Sequence, residues 1–408
     1  MNLRMKLDLS FVIWIVVIST LVASSFGHLV VLGYHIRGFA WYFPFVFSVL
    51  VILRTPNRVF FPWYLWLPWV FILMLYLCFA RYPNAFQRSI MMLCPIVIGM
   101  AISVFRIDEG NLKRFRKLCR DVTIAFYIIV ILKTGIHVTG SLPGVSALAA
   151  EVMTGALLAT IFAAYYAYGE KRHFILWVGL ATIPIIAMTR TGIIATGLTL
   201  PLTLAPLKVY KRLTISIAIV IVGIGLFYTE RFQKRMFYSE HGAIADVRLN
   251  NPDLRTTGRM ALWQLMDQEI EKKPWLGHGA NAQEDFISSV VGFLGQPHND
   301  WKRLLFDYGY VGTVIFGLCM AMQMFHAWKR GRITNGETRI LFYAGASSFL
   351  PLVLFMLTDN IILYAAFFGN LQFTILGLAY ASLRTSEKDA AWIRYQTYLF
   401  SQTKSTKQ

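Results

Sequence analysis

Two apolar runs and the polar stretch between them decide the fold of this chain. Residues 214–228 read TISIAIVIVGIGLFY, and residues 310–325 read YVGTVIFGLCMAMQMF. Each run approaches the ~20 residues that a helix needs to cross a hydrocarbon layer of ~30 Å. The stretch between them is rich in charged residues and is broken by glycines and prolines. We therefore predict two membrane-spanning helices joined by one large loop that meets water.

Similar apolar runs recur along almost the whole chain. Hydrophobic residues make up 56% of the 408 residues and charged residues only 15%, which is typical of a membrane protein. We count about twelve runs of roughly the length that a bilayer requires. Their centres lie near Val17, Phe47, Trp69, Ile98, Ile128, Leu158, Leu180, Leu198, Val222, Gly317, Ser347 and Phe373. The predicted fold is all-α, a polytopic integral membrane protein of about twelve transmembrane helices.

The positive charges lie mainly in alternate connections between these runs. The intervening short connections hold few cations, chiefly Arg37, Arg81, Arg88 and Arg190. Because cytoplasmic loops carry the excess of lysine and arginine, we predict that both termini are cytoplasmic. The large loop is then external, and in a bacterium it is periplasmic. Sidedness and attraction to anionic headgroups account for most of the net charge of +18, so we do not expect a nucleic acid partner.

This topology divides the chain into four parts. The predicted parts are spans one to nine over residues 1–228, the periplasmic loop with amphipathic helices over 229–307, spans ten to twelve over 308–383, and a cytoplasmic tail over 384–408.

Periodicity predicts short helices inside the loop. From Arg259 to Lys273, one face carries Leu262, Trp263, Met266 and Ile270, and either Thr256 or Thr257 is suited to cap the start. At 100° per residue Arg259 falls on this apolar face, so its side chain should point toward the bundle or the bilayer. Further helical stretches are predicted from Asn281 to Val291 and from His298 into the next span.

Several short motifs resemble one family. They are Thr257-Gly258-Arg259 with Trp263, a Pro-x-x-Gly-x-Gly run from Pro274 to Gly279, Thr189-Arg190-Thr191-Gly192, and His298-Asn299 followed after nine residues by Gly309-x-x-Gly312. Their order and predicted sidedness resemble the O-antigen ligase and polymerase superfamily of bacterial envelopes. The His-[Asn/Ser/Gln]-x9-Gly-x-x-[Gly/Thr/Val] pattern of the ligases is matched at every position.

The resemblance implies an activity, substrates and a location. It implies a membrane glycosyltransferase of GT-C type in the bacterial inner membrane, with its active site facing the periplasm. The donor would be a glycan linked to undecaprenyl diphosphate. Ligases pass it to a sugar of the lipid A core, whereas O-antigen or exopolysaccharide polymerases pass it to another lipid-linked repeat. Members of the family are thought to need neither a nucleotide sugar nor a metal ion, so we expect no cofactor.

The chemistry of the residues agrees with this interpretation. A lipid-linked diphosphate lies at the headgroup plane, where arginine is a permanently charged, bidentate partner. We therefore predict that Arg190 and Arg259 hold the donor and neutralise the leaving diphosphate, with Arg255 and Asn299 as further substrate-binding residues. His298 is predicted to take or orient the proton of the acceptor hydroxyl. These assignments make Arg190, Arg259 and His298 the predicted catalytic set.

Other readings of these residues stay open. Arg190 could snorkel at a membrane edge, Asn299 could cap a helix, and His278 between two glycines favours a structural role. Glu151 and Asp359, at the external ends of apolar runs, could pair with an arginine or lie at the interface. A basic face toward lipid phosphates is predicted from Lys234, Arg235, Arg248, Arg255 and Arg303.

Other classes of protein also stay open. A transporter or lipid flippase would be equally polytopic and basic, although we see neither repeated halves nor ionisable groups at midplane depth. A non-catalytic envelope scaffold would tolerate replacement of Arg190, Arg259 and His298.

Overall fold

The computed structural model describes residues 3–31, 33–138, 148–248, 251–255, 258–292 and 295–405, and these residues are mainly helical. In chain order the helices are α1 Leu3–Val17, α2 Ile36–Arg54, α3 Leu67–Cys78, α4 Ala85–Ser103, α5 Glu109–Val138, α6 Ala149–Ala167, α7 His173–Ile186, α8 Arg190–Leu198, α9 Val209–Phe227, α10 Glu230–Met236, α11 Arg259–Lys272, α12 Ala282–Val291, α13 Asp300–Ile333, α14 Gly336–Ser347, α15 Phe349–Met356 and α16 Gly369–Ser405.

Short elements extend some of these helices. A π-helical segment, Ile18–Ala23, and the turn Ser24–Phe26 prolong α1, and two-residue strands, Val30–Val31 and Tyr34–His35, pair antiparallel before α2. The segment between α15 and α16 contains the 3-10 helix Ile361–Tyr364.

Within the part of the chain that the structure describes, six helices are long and apolar enough to cross a membrane. They are Ile36–Arg54, Ala85–Ser103, Ala149–Ala167, Val209–Phe227, Asp300–Ile333 and Gly336–Met356. The last of these ranges includes both α14 and α15. Shorter apolar helices occupy Ser10–Phe26, Trp63–Cys78 and His173–Ile186. The chain is an integral membrane protein of all-α class. All twelve predicted span centres lie in helices, a different one each, and a total of twelve spans stays a prediction.

Glycines allow two helices of the core to approach closely. A Cβ atom on Gly377 of α16 would lie 2.8 Å from the carbonyl oxygen of Gly99 in α4, so only glycine fits there. Small residues are the usual means of close helix packing in membranes. Helix α6 is also central, because 83% of its most apolar 18-residue stretch is buried. The corresponding stretch of α9 is 0% buried. Helix α9 therefore lies at the periphery of the bundle.

The predicted loop helices are confirmed. Helix α11 buries Met266 and Ile270 and turns Gln264, Gln268 and Glu271 outward, as the periodicity predicted. Helix α12 and the start of α13 also lie where expected. Thr256 and Thr257, the predicted caps of α11, lie outside the described residues, and the residue directly before the helix is Gly258 with φ 76°.

Two glycine motifs meet at a break in α13. Gly309 has φ 63° and ψ −168°, which interrupts the helix. The amides of Tyr310 and Val311 donate to the carbonyls of Pro274 and Trp275 at 2.8 and 3.1 Å. A Cβ on Gly309 would lie 2.3 Å from the Trp275 oxygen. The Pro-x-x-Gly-x-Gly run thus supplies the hydrogen bonds that the broken helix lacks, and it docks the loop on α13.

The loop is fixed to the bundle at a second place. Arg88 at the start of α4 donates to the Glu284 carboxylate of α12 at 2.9 Å, and Asn281 Nδ2 donates to the same carboxylate at 2.8 Å. Burial alone would raise the pKa of Glu284, but the hydrogen bonds from Arg88 and Asn281 lower the pKa overall. Helices α10, α11 and α12 pack at one end of the bundle. We call this end the loop end.

The segment predicted as a tail begins within α16, which continues as a helix to Ser405.

Candidate functional site

Arg190 is the first residue of α8. The chain turns at Met188, which has φ 51°, and α8 packs so closely that a Cβ on Gly192 would lie 2.3 Å from Val152 of α6. The half-buried guanidinium of Arg190 donates to the Arg255 carbonyl at 3.0 Å, and Nη1 lies 3.2 Å from Met236 Sδ. Close packing around Gly192 therefore fixes where this arginine emerges at the loop end.

Arg259 begins α11 and points into the protein, as the helical periodicity predicted. Its Nη1 donates to the carbonyl of Thr358 at 2.9 Å. The Thr358 hydroxyl donates in turn to the hydroxyl of Thr191 at 2.7 Å, next to Arg190. Thr358, in the segment after α15, thus contacts Arg259 directly and reaches the neighbourhood of Arg190 through Thr191.

The arginines form a group with an excess of positive charge. The charges of Arg259 and Arg235 both act on the guanidinium of Arg190. Arg255 lies 5.2 Å from the Tyr238 ring centroid, and its buried Nε has no hydrogen-bond partner. No described carboxylate forms an ion pair with Arg190, Arg255 or Arg259. The like charges of Arg190 and Arg259 repel each other, and a bound anion would relieve this repulsion.

His298 lies beside Asp359, the residue that follows Thr358. Its Nδ1 is 3.3 Å from Asp359 Oδ1 and 3.5 Å from Asn360 Nδ2. The imidazole is 40% exposed and Asp359 20% exposed. A proton on Nδ1 would bond to Asp359 and leave Nε2 free to accept one. The dipeptide Thr358-Asp359 therefore brings together all three residues of the predicted catalytic set.

The backbone at His298 is held in an uncommon conformation. His298 has φ 49°, a region that residues other than glycine rarely adopt. On one side, Trp263 Nε1 of α11 donates to the Pro297 carbonyl at 2.7 Å. On the other, Asn299 caps α13, its Oδ1 accepting from the Lys302 amide at 2.9 Å. Strained backbone that its surroundings hold in place is common at functional sites.

Asn299 has two distinct amide atoms. Its oxygen is occupied by the helix cap, and its Nδ2 makes no hydrogen bond within the described part of the chain.

Part of the predicted basic face is wrong. Arg303 is 1% exposed and lies between two buried carboxylates, 3.8 Å from Asp300 and 3.8 Å from Asp307. Lys234 stays exposed at the surface, where it pairs with Glu230 at 2.5 Å. The spacing of Asp300, Arg303 and Asp307 on one helix face is the sequence signal for this arrangement, since residues three and four apart are neighbours.

Two further residues have structural partners. His278 Nε2 lies 2.9 Å from the Glu269 carbonyl, and its ring stacks on Phe306 with centroids 4.7 Å apart, which agrees with the structural reading. Buried Glu151 pairs with Lys133 at 2.5 Å and not with an arginine.

The motifs that build this site also match a family model. Residues 174–317 match the model described as O-Antigen ligase. Residues 174–317 belong to the O-antigen ligase family. Enzymes of this family are ligases and polymerases of lipid-linked glycans. No curated protein matches this chain.

The O-antigen ligase domain contains most of the site. Arg190, Arg255, Arg259, His298 and Asn299 all lie within residues 174–317. Thr358 and Asp359 lie beyond it, and the sequence marks Asp359 only as a carboxylate at the end of an apolar run. In the described residues no group of three or more His, Cys, Asp or Glu side chains is arranged to hold a metal ion.

Proposed function

We propose that this chain is an O-antigen ligase. It transfers a glycan from undecaprenyl diphosphate to a sugar hydroxyl of the lipid A core at the periplasmic face of the bacterial inner membrane. The observation that carries the proposal is the convergence at Thr358-Asp359. Arg259 donates to Thr358, Thr358 bonds to Thr191 beside Arg190, and the accessible His298 contacts Asp359.

In this proposal the arginines bind the donor. Arg190 and Arg259 hold the diphosphate, and Arg255 and Arg235 add positive charge beside them. When the bond between the anomeric carbon and the phosphate oxygen breaks, negative charge develops on the leaving diphosphate. Fixed guanidinium groups stabilise that charge without a metal ion, so the reaction is metal-independent and needs no nucleotide sugar.

His298 then serves the acceptor. Its Nε2 accepts the proton of the acceptor hydroxyl while that oxygen bonds to the anomeric carbon. Asp359 fixes the ring through Nδ1 and stabilises the imidazolium that results. The free amide nitrogen of Asn299 donates to the acceptor or to the glycan. Undecaprenyl diphosphate leaves, and the glycan gains one bond to the acceptor.

The proposed topology places this site in the periplasm. Twelve spans with both termini in the cytoplasm put residues 229–307 outside, together with the starts of α8 and α13 and the segment after α15. The alternation of cations between connections supports this arrangement. Labelling of single cysteines from either side of the membrane tests it: a cysteine at Ser289 should react from the periplasm and one at Lys171 from the cytoplasm.

A polymerase is the second candidate, because the family includes enzymes of both kinds. The lipopolysaccharide and lipid-linked glycan profile of a deletion strain separates the two. Full-length glycan left on undecaprenyl diphosphate, with bare lipid A core, supports a ligase, whereas accumulated single repeats support a polymerase.

The same strain tests the other classes of protein. Complementation with wild type should restore the profile, and His298→Ala should not. Full rescue by variants of Arg190, Arg259 and His298 would favour a scaffold, and glycan confined to the cytoplasmic leaflet would favour a flippase. An unchanged profile in the deletion would remove O-antigen as the substrate.

A further inference from the structure

A buried charged triad begins two residues after His298. It consists of Asp300, Arg303 and Asp307, on one face of α13. Both carboxylates are 0% exposed and the guanidinium is 1% exposed. Buried charges are costly even when they are paired, and the donor-binding and proton-transfer steps described above do not use these residues.

Each carboxylate also holds a segment outside α13. Asp300 Oδ2 accepts from the Ile362 amide at 2.8 Å, and Asp307 Oδ1 accepts from the Gln283 amide at 2.9 Å. The second oxygen of each carboxylate has no hydrogen-bond partner and lies 3.8 Å from Arg303. Each aspartate therefore has one oxygen toward a backbone amide and one toward the shared cation.

The Asp300 contact lies close to the catalytic pair. Asp300 is two residues after His298, and Ile362 is three residues after Asp359. The two segments meet at three places: His298 Nδ1 and Asp359 Oδ1, 3.3 Å apart; His298 Nδ1 and Asn360 Nδ2, 3.5 Å apart; and Asp300 Oδ2 and the Ile362 amide, 2.8 Å apart. With the Asp300 contact in place, the backbone that carries Asp359 cannot move away from His298 without stretching a buried hydrogen bond.

Arg303 makes this arrangement possible. Arg303 Nη1 lies 3.8 Å from Asp300 Oδ1 and places an opposite charge beside this buried carboxylate. Without the cation, Asp300 would be a buried charge with no partner, which is strongly destabilising.

We propose that Asp300 is a positioning residue, which acts through Asp359 to hold His298 for proton transfer while Arg303 balances its charge. The inference rests on the proposed function, because it assigns Asp300 to the geometry of that same site. Asp307 is the matched control: it faces the same cation but holds α12, away from His298.

The test is a double-mutant cycle on the purified full-length chain in nanodiscs. The substrates are undecaprenyl-diphosphate-linked glycan and rough lipopolysaccharide extracted from the source strain. Asp300→Asn is nearly isosteric, but its single oxygen cannot serve both Ile362 and Arg303. We expect it to lower kcat by about 10- to 100-fold, with the KM of donor and acceptor within about threefold. Asp307→Asn should lower the melting temperature as much and kcat by less than about threefold.

Coupling to Asp359 distinguishes positioning from general stability. If Asp300 acts through Asp359, the double variant Asp300→Asn/Asp359→Asn should be no slower than Asp359→Asn alone. Multiplicative losses would overturn the inference, as would equal kcat losses in Asp300→Asn and Asp307→Asn. If Asp300→Asn is too unstable to assay, the triple variant Asp300→Asn/Arg303→Met/Asp307→Asn, in which the triad is neutral, is assayed in its place. Its amide oxygen is free for Ile362, and kcat should return to within about fivefold of wild type.

Failure of the proposed function has a different result. If His298→Ala transfers glycan as fast as wild type, both the proposed function and the positioning role fall. If transfer depends on His298 while the Asp300 and Asp359 losses multiply, only the positioning role falls.

Discussion

The imidazole Nδ1 of His298 lies 3.3 Å from Asp359 Oδ1, although the two residues are 61 positions apart in the sequence. Asp359 follows Thr358, whose carbonyl accepts from Arg259 and whose hydroxyl bonds to Thr191 beside Arg190. One short segment after α15 thus assembles side chains from three distant parts of the chain.

Replacement of His298 or Asp359 should affect the chemical step and leave binding of the glycan donor unchanged. His298→Ala removes the proton acceptor, and Asp359→Asn removes the charge that orients it. Both should lower kcat by about 100-fold or more and leave the KM of the donor nearly unchanged. Steady-state transfer at varied donor concentration measures this. A rise in donor KM at constant kcat would instead place His298 in donor binding.

Substitution of the arginines should act on the donor. Arg190→Lys and Arg259→Lys keep the charge but lose the planar pair of N–H groups that binds a phosphate. The kcat/KM of the glycan donor should therefore fall by about 10- to 100-fold, and further in the alanine variants. Arg231→Ala, an exposed arginine of α10, is the control and should retain wild-type rates. Equal activity of Arg190→Lys and wild type would reduce the role of Arg190 to its charge alone.

The break in α13 predicts a position-specific cost. Gly309→Ala places a Cβ 2.3 Å from the Trp275 oxygen at φ 63°, and it should destabilise the protein by about 1–3 kcal/mol or more. Gly317→Ala in the same helix is the control, because nothing lies within 4 Å of its added Cβ. Thermal unfolding in detergent compares the two. Similar melting temperatures would show that the loop can withdraw from Gly309 at no cost.

The contact of Glu284 with Arg88 predicts a pH-dependent contribution to stability. Because the folded-state pKa of Glu284 is lowered, its carboxylate contributes in full above the unfolded value near 4.3 and loses that contribution as the pH falls through the folded pKa. Glu284→Gln should cost about 1–3 kcal/mol at neutral pH. The gap to wild type should close in acid, and melting temperatures across that range measure it. Asp285→Asn, an exposed neighbour, should show little change, and a gap that persists in acid would contradict the assignment.

Local pattern predicted the helices, and the motifs that resemble the family predicted most residues of the candidate site. Repetition of apolar runs predicted the membrane class, and rotation by 100° per residue predicted that Arg259 points inward. Both depend only on neighbours in sequence. The contact of Asp359 with His298 could not be inferred in this way, because it depends on how α13 and α15 pack.

Charge alone misled the prediction for Arg303. A lysine or arginine in a polar loop usually faces water or headgroups, but Arg303 lies inside between Asp300 and Asp307. Likewise, the sequence shows Gly277 and Gly309 in two separate motifs, whereas a Cβ on Gly277 would lie 2.6 Å from the backbone amide nitrogen of Gly309. Long-range packing decides both cases.

The most direct test of the central claim is transfer by the purified chain in nanodiscs, with undecaprenyl-diphosphate-linked glycan as donor and rough lipopolysaccharide as acceptor. We predict glycan-bearing lipopolysaccharide with wild type, the same yield after chelation of divalent metals, and loss of product with His298→Ala or Arg190→Ala. Undiminished product with either variant would contradict the account.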